Sequence, residues 1–241
     1  SLGYKATALG QKSYNGVAIL SKYDFDITSR NLPDFQEDAA SRYLEVFIRH
    51  PEKPFYAASV YAPNGCSPDK KTEQAKLAYK LHWFDMFNRR ALYLKKTGWG
   101  MTGDKAWNEL LDLDKNITLE KTGYPVVIGG DFNVMMQDID VFDGSRFKNS
   151  PLYRKEVWDK IKALQFSGYH DAFRLLHPQA EGFTFWDYTA NSFVTNSGLR
   201  IDYLFITAQF AEQLVTCGAD KSLRSMDKPS DHTALVAEFG K

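Results

Sequence analysis

Val126-Val127-Ile128-Gly129-Gly130-Asp131-Phe132-Asn133 is the stretch from which the fold of this chain can be worked out. Its short apolar run predicts a buried strand, and its two glycines mark a turn or a close approach of the backbone to a ligand. Asp131 and Asn133 are two residues apart, so in an extended chain their side chains project from the same side. A carboxylate beside an amide at a strand end suits a divalent cation and a phosphate.

Two later segments place further carboxylates in strand contexts. Asp202 lies inside the apolar run 199–205, and Asp231 and His232 directly precede the alternating strand 233–239. Buried carboxylates are costly unless they are paired or bind a metal. We therefore predict that the three aspartates and the histidine assemble into one site.

Other motifs extend the pattern along the chain. Residues 10–22 have the pattern of a strand pair, and Tyr61-Ala62-Pro63-Asn64 forms a Tyr-x-Pro-Asn turn. Residues 183–188 and 196–202 flank the Asp202 strand, and residues 226–232 lead to His232. Together these motifs resemble the exonuclease III-type AP endonucleases of the endonuclease/exonuclease/phosphatase superfamily, and the resemblance covers essentially the whole chain.

The resemblance implies an α/β fold of two mixed β-sheets packed face to face with helices outside, a four-layer α/β sandwich in one domain over residues 1–241. The family begins with a strand, a helix and a second strand that ends in a metal-binding Glu, whereas Ser1-Leu2-Gly3-Tyr4 looks like the segment after that strand. We therefore expect the N-terminal strands and one metal ligand to be missing. Glu45 has no catalytic counterpart in the family but could replace that ligand. The 241 residues alone are expected to bind Mg²⁺ weakly, to cleave abasic DNA negligibly and to be aggregation-prone or molten.

Composition is that of a globular enzyme. The chain has 241 residues, 44% hydrophobic content and zero formal net charge, which argues against coating DNA by bulk charge and leaves room for a local basic rim. Its two cysteines have no metal or redox spacing, which favours reduced thiols and an intracellular location, in the cytoplasm or nucleoid of a bacterium or the nucleus or an organelle of a eukaryote. Apolar periodicity predicts helices at 72–96, 104–112 and 152–164, and strands at 14–21, 43–48, 55–61, 125–129, 200–206 and 233–239.

The predicted chemistry is phosphodiester hydrolysis. Asp131 can orient or deprotonate the attacking water or bind metal, while Asn133 and His232 can donate to phosphoryl oxygens. The resemblance pairs His232 with Asp202 and turns Asp231 toward the metal, which fits strand geometry, because successive residues point to opposite faces. Tyr61 would place its phenol on the phosphate. The predicted catalytic set is therefore Tyr61, Asp131, Asn133, Asp202 and His232, and the predicted Mg²⁺ or Mn²⁺ ligands are Asp131, Asn133, Asp231 and His232.

The resemblance also assigns substrate contacts. An abasic sugar needs a small apolar pocket, and the matching positions are Phe185, Leu199 and Ile201, although all three are also ordinary core residues. The predicted contacts to the DNA backbone are Lys12, Tyr14, Asn15, Asn64, Trp186 and Asn196, with Trp186 also interpreted as a support beneath the pocket. Asp138 and Asp140 are predicted at the rim near DNA, and His50, His82, His170, His177 and Asp171 are predicted to be structural or exposed.

The function implied is a monomeric DNA repair nuclease that cleaves 5′ to abasic sites in double-stranded DNA and trims 3′ ends, with no membrane partner. Two alternatives stay open. One is another phosphodiesterase or phosphatase of the superfamily, and the other is a DNA-binding scaffold that has kept the fold and lost the chemistry.

Overall fold

A computed structural model describes residues 2–12, 15–33, 35, 40–97 and 123–240. The strands are β1 (Lys5–Gly10), β2 (Gly16–Ser21), β3 (Phe25–Ser29), β4 (Tyr43–Ile48), β5 (Phe55–Tyr61), β6 (Val126–Asp131), β7 (Tyr169–Asp171), β8 (Asp202–Thr207), β9 (Leu214–Ala219) and β10 (Leu235–Phe239). The α-helices are α1 (Lys70–Thr97), α2 (Lys155–Phe166), α3 (Ala172–Leu176) and α4 (Ala208–Ala211), and 3₁₀ turns lie at Asp138–Asp140, Gly144–Arg146 and Lys221–Ser225.

A six-stranded sheet in the order β3-β4-β5-β6-β8-β7 forms the centre of the molecule. Its β5–β6 pair is parallel, and its other pairs are antiparallel. Parallel neighbours need a long crossover, and α1 lies in the connection from β5 to β6. Two separate antiparallel hairpins, β1–β2 and β9–β10, complete the described sheets.

Alternate residues of the central strands supply two hydrophobic cores. Val126 and Ile128 of β6, with Tyr203 and Phe205 of β8, pack against α1 and α2. The intervening residues of the same strands, such as Val127, pack with β9–β10 and α3. Successive side chains of a strand point to opposite faces, so α1 and α2 cover one face of the sheet, and the β9–β10 hairpin with α3 covers the other. The β1–β2 hairpin contacts β4 and β5. The predicted α/β fold with packed sheet layers and outer helices is confirmed.

Several element predictions agree with the structure. The helix predicted at 72–96 is α1, and the strands predicted at 43–48 and 55–61 coincide with β4 and β5. The helix predicted at 152–164 begins later, at Lys155, because the carbonyl of Leu152 accepts from Met135 N instead of starting a helical ladder. The helix predicted at 104–112 lies outside the described residues.

Candidate active site

The candidate site lies where β5 and β6 end and β8 begins. Tyr61 is the register partner of Asp131 across β5–β6, and Asp131 is the partner of Asp202 across β6–β8. Strand pairing therefore fixes these three residues side by side at one edge of the sheet. His232 joins them through an isolated bridge with Phe185.

His232 and Asp202 form a hydrogen-bonded pair. Nδ1 of His232 lies 2.8 Å from Oδ2 of Asp202, which also accepts from the Thr184 hydroxyl at 2.7 Å. The predicted pairing with Asp202 is observed. Because Asp202 holds Nδ1, the ring presents Nε2 to the remainder of the site.

The charge of His232 follows from this environment. Burial opposes the protonated ring, but the hydrogen bond and charge of Asp202, together with Asp131 and Asp231, raise the pKa of His232 to about 9. An imidazolium ring has no lone pair for a metal. The metal-ligand role of His232 stays a prediction, and a protonated ring favours its other predicted role, as a hydrogen-bond donor to a phosphoryl oxygen.

Asp131 is a carboxylate whose charge is poorly compensated. Burial and the nearby charge of Asp202 raise the pKa of Asp131 to about 7. The charge of Asp131 in turn acts on Tyr61, whose phenol has a raised pKa because of burial and then of Asp131. An added cation would relieve this concentration of negative charge.

Asn133 adopts a left-handed backbone with φ of 51°. Its backbone N–H donates to Asp131 Oδ1 at 2.8 Å, and its amide Nδ2 donates to Ala62 O and to Asp131 Oδ2, each at 2.9 Å. The predicted donation from Asn133 to a phosphoryl oxygen is therefore not available in this conformation, because both amide protons are used. The side-chain oxygen Oδ1 is the atom left to accept from water or to bind a cation.

Glu45 does not belong to the site. Its side chain is fully buried and accepts from Arg90 Nε and Nη2 at 2.8 and 2.6 Å, and from Tyr43 and Thr28 hydroxyls at 2.6 Å each. These four bonds occupy the lone pairs that a metal would need. Glu45 is a structural ion-pair partner, and it cannot bind a metal without dismantling this cluster.

The donor set for a metal is small but chemically suitable. Asp131, Asp231 and Oδ1 of Asn133 are hard oxygen donors, the kind that Mg²⁺ prefers. Over the described ranges, no group of three or more His, Cys, Asp or Glu side chains is arranged to hold a metal. The residues present thus fit an ion that keeps several waters and binds one or two carboxylates plus a substrate phosphate.

One residue predicted to line the abasic pocket, Phe185, lies beside His232. The rings of Phe185 and His232 are 5.0 Å apart, centroid to centroid, in an edge-to-face contact. Leu199 and Ile201 are only 5% and 3% exposed and pack in a core with Met135. Only a small part of either side chain can therefore face a pocket.

The predicted DNA contacts fall into different environments. Lys12 and Asn64 are exposed, Asn15 and Asn196 are half-buried with φ of 68° and 52°, and Tyr14 lies outside the described residues. Trp186 is fully buried, packs edge-on against Phe193 and lies below Lys221 Nζ, so its prediction as a DNA contact is wrong and only the role of support stands.

Asp140 is not a rim residue as predicted. It is fully buried, and Arg200 Nε and Arg174 Nη2 donate to its Oδ1 at 2.7 and 2.5 Å. Asp171, which was predicted to be structural or exposed, is buried and accepts from Arg200 Nη1 at 2.7 Å. Asp138 is exposed and accepts from the Tyr153 hydroxyl.

Sequence reasoning missed several polar residues around the site. Arg42 donates to Tyr61 O at 3.1 Å and lies 5.3 Å from the centroid of the Tyr61 ring. Arg224 donates to Ser230 O and to Trp186 O, which ties the turn before His232 to the neighbouring loop. Lys80 interrupts the apolar stripe of α1 three residues after Leu77, and a charged residue at such a position was the available signal.

Comparisons with known proteins agree with this geometry. The model of the Endonuclease/Exonuclease/phosphatase family matches residues 2–232. Exodeoxyribonuclease III of Haemophilus influenzae is 28% identical, over 99% of this chain and 82% of the relative. The structure of an AP endonuclease from Archaeoglobus fulgidus superposes with a TM-score of 0.78 at 28% identity, over 99% of this chain and 80% of that one. A 3′ phosphatase from Neisseria bound to a product DNA hairpin gives a TM-score of 0.79 at 25% identity, over 100% and 80%.

Proposed function

The chain belongs to the endonuclease/exonuclease/phosphatase family, and we propose that it is a DNA repair nuclease that hydrolyses the phosphodiester 5′ to abasic sites and trims 3′ ends. The observation that carries this proposal is the Asp131–Asp202–His232 cluster beside Tyr61, at the sheet edge of a chain similar to exodeoxyribonuclease III over nearly its whole length. Such an enzyme acts inside the cell, where its DNA substrate is found.

Each side chain of the cluster has a role in the proposed hydrolysis. The Asp131 carboxylate orients the attacking water and accepts its proton, or instead serves as a ligand of the divalent cation. Protonated His232, aligned by Asp202, donates from Nε2 to a phosphoryl oxygen as negative charge develops there. The Tyr61 hydroxyl, at the end of β5, donates to the same phosphate from the strand next to β6.

Asp131, Asp231 and Oδ1 of Asn133 would hold a divalent cation, which we propose is Mg²⁺, with Mn²⁺ as a substitute. The bound ion supplies Lewis-acid stabilisation of the phosphoryl and leaving oxygens. The protein fixes the orientation of these ligands. The side-chain amide of Asn133 is held by its hydrogen bonds to Ala62 O and Asp131 Oδ2, and the backbone at Asp231 is held by a hydrogen bond from Trp186 N to Asp231 O at 2.9 Å.

The proposed substrate is double-stranded DNA, bound by one copy of the chain. Phe185, with the edges of Leu199 and Ile201, forms the small apolar surface that accepts a sugar lacking its base. Lys12, Asn15, Asn64 and Asn196 contact the DNA backbone and position the duplex without reading sequence. The similarity to a 3′ phosphatase bound to product DNA supports the 3′-end activity.

The test compares DNA substrates at equal Mg²⁺. Purified protein is incubated with a duplex containing one abasic site, a nicked duplex with a 3′-phosphate, and an undamaged duplex. Incision 5′ to the abasic site and removal of the 3′-phosphate, both abolished by a chelator and restored by Mg²⁺, would support the proposed function and would overturn the expectation that the 241 residues alone cleave abasic DNA negligibly. The matched control is His232→Ala, which leaves the strands intact and removes the proposed donor.

The two alternatives give different results in the same assay. Another phosphodiesterase or phosphatase would leave the abasic duplex intact and hydrolyse a phosphoinositide or a small activated phosphodiester. A catalytically silent scaffold would bind the abasic duplex in a gel-shift assay and hydrolyse none of the substrates, a reading kept open by the small carboxylate set of the described residues.

A further inference from the structure

Lys80 on α1 is a fully buried lysine. Lysine is almost never completely buried unless its ammonium group is satisfied. Its Nζ donates to three backbone carbonyl oxygens, those of Asn133 at 2.6 Å, Pro151 at 3.1 Å and Asn64 at 3.2 Å. An ammonium group has three N–H donors, so these three bonds use all of them.

The three carbonyls belong to three different segments. Asn64 lies three residues after Tyr61, Asn133 lies two residues after Asp131, and Pro151 precedes α2. One side chain on the crossover helix therefore joins the two turns that follow the parallel strands β5 and β6 to the segment that leads into α2.

The turn at Asn133 needs such support. A left-handed φ at a residue other than glycine is energetically unfavourable and persists where the surroundings determine it. Asn133 has φ of 51°, and its carbonyl receives the shortest of the three Lys80 bonds. The packing is close as well: a Cβ atom added at Gly65 would lie 3.2 Å from Lys80 Cδ and 2.9 Å from Pro151 Cβ.

We propose that Lys80 is a positioning residue for the phosphodiester hydrolysis, because it holds the Asn64 and Asn133 turns in place and so keeps Asn133 hydrogen-bonded to Asp131 at the ends of the paired strands. Lys80 itself reaches no substrate atom in this role. The catalytic part of the inference rests on the proposed function, whereas the ordering of the two turns does not.

Lys95 supplies a matched control on the same helix. Its Nζ donates to the backbone carbonyl of Ser167 at 2.7 Å, so it also joins α1 to a backbone segment through a lysine–carbonyl bond. Fifteen residues separate the two lysines, about 22 Å along a helix. Lys95→Met therefore removes the same kind of bond without touching the turns at Asn64 and Asn133.

The first measurement is hydrogen exchange followed by mass spectrometry on Lys80→Met and Lys95→Met, which needs no catalytic activity. We expect Lys80→Met to speed exchange in peptides covering 61–66 and 131–136, and Lys95→Met to leave those peptides at wild-type rates. Equal effects of the two variants on these peptides, or no effect of Lys80→Met, would overturn the proposal.

The second measurement is steady-state cleavage of the abasic duplex, with each protein assayed at the same interval below its own melting temperature. We expect Lys80→Met to lower kcat by about tenfold or more, since small misplacements of reacting groups are costly, while KM stays near the wild-type value. Lys80→Arg, which keeps charged donors, should recover part of the loss. A kcat equal to that of Lys95→Met, or a loss confined to KM, would contradict the positioning role.

If circular dichroism shows that Lys80→Met is unfolded, Lys80→Arg and Lys95→Arg are compared by the same two measurements. Lys80→Arg should then speed exchange in the two peptides and lower kcat by smaller amounts, and Lys95→Arg should change neither. If the wild-type protein cleaves none of the DNA substrates, the proposed function fails, and the exchange rates alone decide whether Lys80 orders the two turns.

Discussion

Arg200 and Asp140 face each other in the protein interior, with Arg200 Nε donating to Asp140 Oδ1 at 2.7 Å and neither side chain more than 1% exposed. The same carboxylate accepts from the backbone N–H groups of Met136 and Gln137 at 3.0 Å each, while Arg200 also donates to Asp171. The Arg200–Asp140 pair therefore connects residues 136–140, after the Asn133 turn, to the residues that lead into β8.

Replacing Arg200 by Met should destabilise the protein strongly. Asp171 would remain buried without its Arg200 partner and Asp140 would keep only Arg174, and removing one partner of a buried ion pair typically costs about 3–5 kcal/mol. The free energy of unfolding, measured by urea denaturation, should fall by an amount of this order.

The exposed Arg49–Asp26 pair is the control for that experiment. Both side chains are more than half exposed, and such surface pairs contribute little. Arg49→Met should leave the denaturation midpoint almost unchanged. An equally small effect for Arg200→Met would show that the buried network is not required for stability.

Glu45→Gln should lower stability and leave catalysis intact. The substitution weakens the bidentate bond with Arg90 in a fully buried position, for which we expect a loss of a few kcal/mol. The turnover number and the Mg²⁺ concentration for half-maximal rate should stay at wild-type values when assayed well below the melting temperature. A raised Mg²⁺ requirement with unchanged stability would instead assign Glu45 to the metal.

His232→Ala should reduce turnover by about 10²-fold or more, because a positioned donor to a developing charge is worth a few kcal/mol. DNA affinity, measured by fluorescence anisotropy in a chelator, should be nearly unchanged. A comparable loss of affinity and turnover would indicate that His232 supports the structure of the site and does not act on the phosphate.

Asp202→Asn should lower the pKa of His232. In the wild type the pKa of His232 is raised from its ordinary value of 6.5 to about 9. Burial opposes the protonated ring, and the hydrogen bond and charge of Asp202 contribute most to raising the pKa. A raised folded-state pKa means that the stabilisation by this pair is fully present below pH 6.5 and is lost as the pH rises through 9.

An NMR titration of the His232 ring measures this directly. We expect the midpoint to move from about 9 in the wild type toward 6.5 or below in Asp202→Asn, since burial still disfavours the charged ring. Activity at pH 8 should fall more steeply in the variant than activity at pH 6. An unmoved midpoint would mean that Asp131 and Asp231 set the charge of His232.

Phe185→Leu should affect the abasic substrate selectively. The shorter side chain leaves space where the sugar would pack, and a change of this size in an apolar pocket alters specificity by about 10-fold or more. Hydrolysis of a small activated phosphodiester should change much less. Equal losses on both substrates would mean that the ring acts by supporting His232, which it contacts edge-on.

Leu199→Arg is a poorer test of the same pocket. Leu199 is 5% exposed and belongs to the core around Met135 and Tyr153, so a charged side chain there would disturb folding before it blocked a sugar. Phe185 is therefore the better position at which to test the pocket.

Local sequence was enough to predict the elements that carry the site. The apolar run before Asp131 and the alternation after His232 identified strands, because a period of two residues is visible within a single element. The pairing of His232 with Asp202 joins two distant segments and was predicted from the family resemblance, with strand geometry only disfavouring Asp231.

Interactions between distant segments could not be predicted in this way. The polar loop around Asp140 predicts a rim residue. The structure instead pairs Asp140 with Arg200, which is 60 positions away in sequence, and with Arg174, which is 34 positions away. Lys80 bonds only to backbone carbonyls, which leave no trace in the identity of the residues that offer them. The burial of Trp186 likewise depends on packing against Phe193 and Lys221.

The parallel pairing of β5 and β6 has a bearing on how this protein can change in evolution. Because Tyr61 and Asp131 stand at the exit ends of both strands, the chain enters β6 at Val126, at the end of the strand remote from the reaction. Residues 123–125, which directly precede Val126, therefore lie at the end of β6 that faces away from the substrate. A lineage could change these residues while the hydrolytic centre keeps its register.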